Sequence, residues 1–262
     1  MKNILLLIAL AVSSLTSHSA AAVELYTQQI TYIKVHAGKT EDWLQMVRDT
    51  SVKMAQKNAD AGEIISWTLL RAVYPAGQEA RADYMISEIS PGSPHSPVRT
   101  LAENLKQAGV NMTADELLKK RSSTSDLVAR ELWQPQIYNG AAQKGNFIVL
   151  NFMKVLDPAK HPTLETNIWS PLTKEWIKQG TLTGWIYATK IMPSGSESRY
   201  GAYTGDMFTS MEAALGHHNY EETFAKVHPG KKIDDVFVDT EKVRDIAKRE
   251  LWEVVERITK KP

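Results

Sequence analysis

The stretch "ARELWQ" at residues 129–134 is repeated, with little change, as "KRELWE" at residues 248–253. The chain has 262 residues and seven tryptophans, so chance is a poor explanation for a second RELW. The two copies lie 119 residues apart, which is close to the length of an ordinary protein domain. The repeat therefore predicts that the chain contains a whole domain twice.

Comparison of the chain with itself extends the repeat well beyond RELW. Under an offset of 118 residues, the matched pairs are Gly62 with Gly180, Trp67 with Trp185, Pro75 with Pro193, Gly77 with Gly195 and Arg81 with Arg199. Glycine and proline occupy positions with special backbone requirements, so their matching is informative. The matches place the two copies at about 27–138 and 146–258, joined by "NGAAQKG".

Each copy has the same predicted order of elements. In the first copy, "QQITYIKVH" is typical of a strand, and "GKTEDWLQMVRDTSVKMAQKN" has the spacing of an amphipathic helix. A hairpin follows in "EIISWTLLRAVYPAG" and "ARADYMISEI", then a helical region broken near "AGVNM" and a last strand, "LVARELWQPQIY". The second copy differs in its first helix. Ser170 as N-cap and Pro171 as first helical residue predict that this helix begins at these positions. The order β-α-β-β-α-β is the ferredoxin-like motif.

This order, duplicated over about 230 residues, resembles the dimeric α+β barrel superfamily. That group includes the antibiotic-biosynthesis-type monooxygenases, the NIPSNAP-like domains and the chlorite-dismutase-like haem proteins. The chain is also similar to exported bacterial proteins with a "W-x-P" segment and a "G-W" strand in this layout. The resemblance implies an α+β fold in which two tandem ferredoxin-like βαββαβ units pack sheet-to-sheet as an intramolecular barrel. We place unit 1 at residues 23–140 and unit 2 at residues 141–262.

The N-terminus has the layout of a secretory signal peptide. Lys2 precedes the apolar run "ILLLIALAV", and small residues follow, with cleavage expected after Ala20 or Ala22. The alternatives for this run are a membrane anchor and a buried helix. No later segment reaches the roughly 20 apolar residues of a spanning helix, so we expect no membrane anchor in the mature chain. Residues 1–22 therefore predict an exported, periplasmic or extracellular protein, and the absence of cysteine excludes disulfides.

The charge balance argues against nucleic acid as a partner. The chain carries 31 Lys and Arg against 30 Asp and Glu, and loss of Lys2 with the signal peptide leaves 30 of each. A neutral chain with interspersed charges lacks the basic surface that attracts nucleic acid or an anionic membrane.

Strand alternation predicts where a binding site would lie. In the hairpin strand, Trp67 and Arg71 share one face, whereas the opposite face carries small residues such as Ser66, which matches Gly184. We expect the small face to lie against the helices and the tryptophan face to line the space between the sheets. A small apolar or aromatic molecule would bind there. The candidate ligand-binding residues are His36, Trp67, Arg71, Trp133, Trp185, Tyr187, Tyr203 and Trp252. The alternative is that these aromatic side chains fill a solid core.

Arg71 is the sharpest of these candidates, because an arginine in an apolar space needs an anionic partner, unless its stem reaches water. His217 with Glu221, or His218 with Glu222, has helical spacing, but no third ligand is specified and we predict no metal site. Recognisable catalytic motifs are lacking, so the catalytic residues stay unassigned. The sequence predicts an exported binding protein, with cofactor-free monooxygenase-like activity as the reaction. A structural or interaction module with a filled core is the alternative, and a haem protein is a further one, although no cofactor is predicted.

Overall fold

The computed structural model of the chain describes residues 25–77, 80–92, 99–216 and 220–261. The predicted signal peptide and the histidines His95, His217 and His218 lie outside these residues. None of the helices in the described part of the chain is long and apolar enough to cross a bilayer.

The elements follow the predicted order in both units. The strands are β1 (Tyr26–Val35), β2 (Ser66–Tyr74), β3 (Tyr84–Pro91), β4 (Ser125–Gly140), β5 (Phe147–Val155), β6 (Gly184–Met192), β7 (Ala202–Phe208) and β8 (Arg244–Thr259). The α-helices of the described residues are α1 (Thr40–Asp49), α2 (Ser51–Asp60), α3 (Leu101–Gln107), α4 (Ala114–Thr124), α5 (His161–Leu164), α6 (Ser170–Lys178), α7 (Met211–Leu215), α8 (Tyr220–Val227) and α9 (Ile233–Val243). A π-helical segment, Glu165–Trp169, joins α5 to α6.

The eight strands form one closed antiparallel barrel in the order β1-β3-β2-β8-β5-β7-β6-β4. Each unit contributes four consecutive strands, and two seams join the units. One seam pairs β2 with β8, and the other pairs β4 with β6. The predicted fold class, two ferredoxin-like units forming a barrel within one chain, is confirmed, and the RELW strands β4 and β8 both lie at seams.

The residues of RELW alternate between the two faces of each seam strand, so the glutamate and the tryptophan share one face in both copies. Glu131 and Trp133 are buried in the barrel, and Glu250 and Trp252 occupy the matching positions. In both copies the tryptophan indole N–H donates to the glutamate two residues earlier, at 3.3 Å in the first copy and 3.1 Å in the second. The motif therefore pairs a buried carboxylate with its own indole donor at each seam.

The prediction of which strand face lines the barrel is wrong. Trp67 packs among the helices of unit 1, and Trp185 packs in a cluster with Met153, Tyr187 and Ala202, outside the barrel. An eight-stranded barrel has an interior that side chains can just fill, or that can hold one small ligand. A Cβ added at Gly205 would come within 2.8 Å of Ile186. On the hairpin strands β2 and β6 the smaller residues therefore face inward, beside large aromatic side chains from other strands, and the larger face is covered by helices.

The first helical region of unit 2 is continuous through residues 161–178, with the π-helical segment in its middle. Ser170 is not an N-cap, because it lies inside this region, and its backbone N–H donates to the carbonyl oxygen of Glu165. The wider turn keeps the helix going up to Pro171, which has no N–H to donate. This bulge also places Glu165 and Trp169 toward the sheet.

Candidate functional site

The barrel interior is filled by its own aromatic side chains. Trp133 stands edge-on to Tyr203 at 4.9 Å between ring centroids, and Tyr203 donates to Gln28 at 2.5 Å. The remaining interior cavity has a volume of about 50 Å³. By comparison, an engineered protein cavity that binds benzene has a volume of about 150 Å³. The space between the sheets thus has room for water and not for the aromatic ligand that we placed there.

One end of the barrel holds a cluster of buried charges around Glu131. This carboxylate accepts from Tyr200 at 2.8 Å and from Lys190 at 3.2 Å, and Lys190 is 5% exposed. Glu250, the matched carboxylate, accepts from Lys248 at 2.6 Å. The cavity beside Glu250 is about 10 Å³, so this cluster is also closely packed.

The larger space lies outside the barrel, between the unit 2 sheet and its helices; we call it the unit 2 cavity. Its volume is about 430 Å³. Its aromatic lining residues are Trp169, Trp176, Trp185, Tyr220 and Phe237. Its charged lining residues are Glu165, Asp206, Glu241, Arg244, Asp245 and Arg249. Asn151, Thr173, Thr204, Thr240 and Ile246 complete the lining. Aromatic walls together with polar groups that can fix a ligand's orientation occur in small-molecule sites, although polar and charged residues outnumber apolar ones here.

Helix and strand periodicity bring these side chains together. Trp169, Thr173 and Trp176 are spaced at i, i+4 and i+7, so they face the cavity from one side of the helix. Thr204 and Asp206 are two residues apart on β7 and share the face of the sheet below. The cavity is therefore built on regular elements that fix its walls.

Glu165 is fully buried and lies within ion-pair distance of two groups. Its Oε1 is 2.8 Å from Arg244 Nε and 3.2 Å from His161 Nε2, but neither contact has hydrogen-bond geometry. Both carboxylate oxygens therefore keep acceptor capacity. On the far side, His161 Nδ1 is 3.3 Å from the Tyr187 hydroxyl. Burial, and next the charge of Glu165, raise the pKa of Tyr187, so this phenol stays protonated.

A second polar group lies on the floor of the cavity. The Asn151 amide donates to Asp206 at 2.9 Å and accepts from Arg249 Nε at 2.7 Å, so it bridges an acid and a base. Burial raises the pKa of Asp206 to about 6, against the opposing hydrogen bond from Asn151 and the charge of Arg249. Asp206 Oδ1 makes no hydrogen bond to the described residues. This carboxyl titrates close to neutrality and retains a free acceptor.

The matched surface of unit 1 keeps some of the charges and one tryptophan, and lacks the rest of the aromatic wall. Under the repeat offsets, Asp206 falls on Glu88, Arg249 on Arg130 and Trp185 on Trp67. Other cavity residues are replaced: Trp176 by Asn58, Thr173 by Ala55, Asn151 by Thr31 and Arg244 by Ser125. The unit 2 cavity is thus a place where the two copies have diverged.

The eight predicted ligand residues are scattered by the fold. Trp133, Tyr203 and Trp252 lie inside the barrel, whereas Trp67, Trp185 and Tyr187 lie under the helices. Of the eight, Trp185 lines the unit 2 cavity.

Arg71 and His36 are on the outer surface. Arg71, 56% exposed, pairs with Glu253 across the β2–β8 seam, so the proposed interior anion site at Arg71 is wrong. The tryptophan face that carries Arg71 points outward, and its guanidinium reaches solvent there. His36 lies 3.1 Å from Asp126, also on the surface.

Sequence reasoning missed Glu165, Asp206 and Arg249. Asp206 gave a signal, since it is a lone carboxylate in the otherwise uncharged strand "AYTGDMF". Glu165, which is the first residue of the π-helical segment and is fully buried, gave none.

The histidines of the described residues do not fit a haem site in the unit 2 cavity. None of them lines it. His161 is 1% exposed with both ring nitrogens facing protein groups, and His228 Nε2 lies 3.0 Å from the Ile168 carbonyl oxygen. No group of three metal-ligating side chains is found among the described residues either.

Comparison with known proteins gives the fold. No protein-family model matches the chain, and no curated protein sequence does. The crystal structure of a "putative monooxygenase" from Lactobacillus acidophilus is 11% identical, with a TM-score of 0.53, over 90% of this chain and 97% of that one. A second "putative monooxygenase", from Fusobacterium nucleatum, is 9% identical with a TM-score of 0.53, over 90% and 95%. A "putative chlorite dismutase" is 11% identical with a TM-score of 0.48, over 89% and 96%. This chain therefore has the dimeric α+β barrel fold, with both ferredoxin-like units on one polypeptide.

Proposed function

We propose that this protein binds a small aromatic molecule in the unit 2 cavity. The observation that carries the proposal is a single cavity of about 430 Å³ that combines five aromatic side chains with polar groups. Ligand sites are usually of about 300–1,000 Å³, with apolar walls and a few polar groups that set orientation. A fused-ring arene suits walls formed by Trp176 and Trp185, where offset or edge-on ring contacts are favourable.

The polar groups of the cavity support a ligand because several are unsatisfied. Trp169 Nε1, Thr240 Oγ1 and both oxygens of Glu165 are buried without a hydrogen-bond partner. Buried polar atoms without partners are costly, so they are seldom kept without a use. A bound molecule with oxygen or nitrogen substituents would satisfy them.

The reaction that we propose to test is oxidation of the bound molecule by molecular oxygen without a cofactor. The support for this step is the fold shared with the two structures that carry the name monooxygenase. The bound molecule would be the reductant, with one oxygen atom entering the product and the other leaving as water. Incorporation of labelled oxygen, measured by mass spectrometry, is the direct readout.

The binding experiment uses three naphthalene probes of different charge, namely 2-naphthol, 2-naphthoate and 2-naphthylmethylamine. Isothermal titration calorimetry measures each probe against the mature protein. At least one probe should bind with a negative heat-capacity change, because apolar surface is buried. Thr173→Trp puts an indole into the cavity and should weaken that binding at least tenfold.

Tyr203→Phe is the matched control, since Tyr203 lies in the barrel interior and outside the cavity. It should leave probe binding unchanged. Thermal unfolding of both variants, followed by circular dichroism, establishes that they are folded. Loss of binding in Tyr203→Phe with retention in Thr173→Trp would place the site in the barrel and overturn the proposal, and so would failure of all three probes.

A further inference from the structure

The unit 2 cavity has more acidic than basic groups in its lining, which affects the charge of the ligand that it can bind. Its lining contains four carboxylates, Glu165, Asp206, Glu241 and Asp245, against two guanidinium groups, Arg244 and Arg249. When all four acids are ionised, the cavity lining therefore has a net negative charge, which a charged aromatic ligand would encounter.

The two guanidinium groups each contact a protein partner. Arg244 lies 2.8 Å from Glu165 and also over the Trp169 ring, at 5.7 Å from its centroid. Arg249 donates to Asn151 at 2.7 Å and is exposed to solvent. Arg244 Nε makes no hydrogen bond to the described residues, but Glu165 lies within ion-pair distance of it, and the charge of Arg249 is open to water.

The acids are less committed. Glu241 and Asp245 are exposed at the mouth of the cavity, and neither makes an ion pair within the described part of the chain. Inside, Asp206 accepts one hydrogen bond from Asn151 and keeps Oδ1 open. The charged groups that act on Asp206 are Arg249, Arg244 and Glu165, and the two arginines favour its ionised form.

Aromatic faces add to this preference. Trp176 and Trp185 line the cavity together with the acids, and indole rings attract cations through their electron-rich faces. Arg244 already uses this interaction on Trp169 within the protein itself. A ligand ammonium group would use it on the remaining rings.

We propose that the unit 2 cavity selects an aromatic ammonium compound, with its ring against Trp176 and Trp185 and its ammonium group facing Asp206. This inference rests on the proposed function, because it names the chemical class of the molecule bound there. Glu241 and Asp245 steer the cation to the mouth.

The order of affinity of the three naphthalene probes tests the inference. At pH 7.5, 2-naphthylmethylamine is a cation, 2-naphthol is neutral and 2-naphthoate is an anion. We expect the ammonium compound to bind about tenfold more tightly than 2-naphthol, and 2-naphthoate to bind most weakly. Asp206→Asn should remove most of the advantage of the ammonium compound while leaving the affinity for 2-naphthol within about twofold.

The pH dependence supplies a second readout. Burial raises the pKa of Asp206 to about 6, so the affinity for the ammonium probe should rise between pH 5 and pH 7.5 and stay flat in Asp206→Asn. The affinity of 2-naphthol should change little over this range. Glu241→Gln combined with Asp245→Asn should reduce the salt dependence of the association rate, measured by stopped-flow tryptophan fluorescence.

Each failure has a distinct meaning. If 2-naphthol or 2-naphthoate binds as tightly as the ammonium probe, and Thr173→Trp still abolishes binding, the cavity is an aromatic site and the preference for cations is wrong. If Asp206→Asn leaves the order of the probes intact, the role of Asp206 is wrong. If no probe binds, the proposed function itself fails.

Discussion

Glu131 and Glu250 occupy matched positions in the repeat, yet we expect very different costs when each is replaced by glutamine. Glu131 pairs with Lys190, which is 5% exposed, so Glu131→Gln leaves an ammonium group buried and uncompensated. Breaking a buried ion pair from one side costs about 3–5 kcal/mol. Glu250 pairs with Lys248, which is 31% exposed and able to turn toward water. For Glu250→Gln we expect about 1–2 kcal/mol, mainly from weaker hydrogen bonds.

Urea unfolding followed by circular dichroism and by tryptophan fluorescence measures the two costs under one protocol. Glu131→Gln should lower the free energy of unfolding by about 2–3 kcal/mol more than Glu250→Gln does, at an unchanged denaturant slope. Adding Lys190→Met to Glu131→Gln should recover most of the loss, because the buried ammonium group is then gone and Arg81, the other cation near Glu131, is 40% exposed and reaches water. Equal costs for the two single variants, or no recovery in the double variant, would refute the reasoning.

Four further predictions concern the core, the seams and the cavity. Trp67→Ala and Trp185→Ala should each cost about 3–5 kcal/mol in urea unfolding, because both indoles are buried under helices; near-neutral effects would mean that the helices are loosely packed. Residues 27–140 alone should self-associate in analytical ultracentrifugation, because their interior face and two seam edges lose their partners; a stable monomer would contradict this. Burial raises the pKa of Asp206 to about 6, above about 3.9 in the unfolded chain. Raising the pH between these two values should therefore lower the free energy of unfolding, and Asp206→Asn should lack this dependence on pH. Gly205→Ala should lower the free energy of unfolding by about 1–3 kcal/mol, because the added methyl group overpacks against Ile186 in the barrel. An unchanged melting temperature would show that the interior has room for this group.

RELW and the matched glycines predicted the duplication, and periodicity predicted the order of helices and strands along the chain, because both are properties of the chain itself. The closed barrel was what the resemblance to the dimeric α+β barrel superfamily implied. Alternation does not say which face is inside, and here we chose wrongly for Trp67 and Trp185. On those strands the large residues face the helices, whereas Trp133 and Trp252 of the seam strands lie inside the barrel.

The candidate site was not predicted from the sequence, for a related reason. The sequence favours Arg71 on the tryptophan face, where the second copy has Thr189. That position is at the surface. Asn151 and Trp176 break the symmetry equally, and only the packing of the helices on the sheet puts them beside Glu165 and Asp206. That proximity joins residues distant in sequence, and the π-helical segment that begins at Glu165 has no sequence signature.

The two seams that close the barrel have a consequence for how this chain can change over time. A barrel made from two identical chains must accept every substitution twice, once in each half. Here the halves are joined covalently, so a residue gained on one side need not be tolerated on the other. Unit 1 has Asn58 and Thr31 where unit 2 has Trp176 and Asn151. The duplication thus lets one half act as scaffold while the other half is free to acquire and refine a binding site.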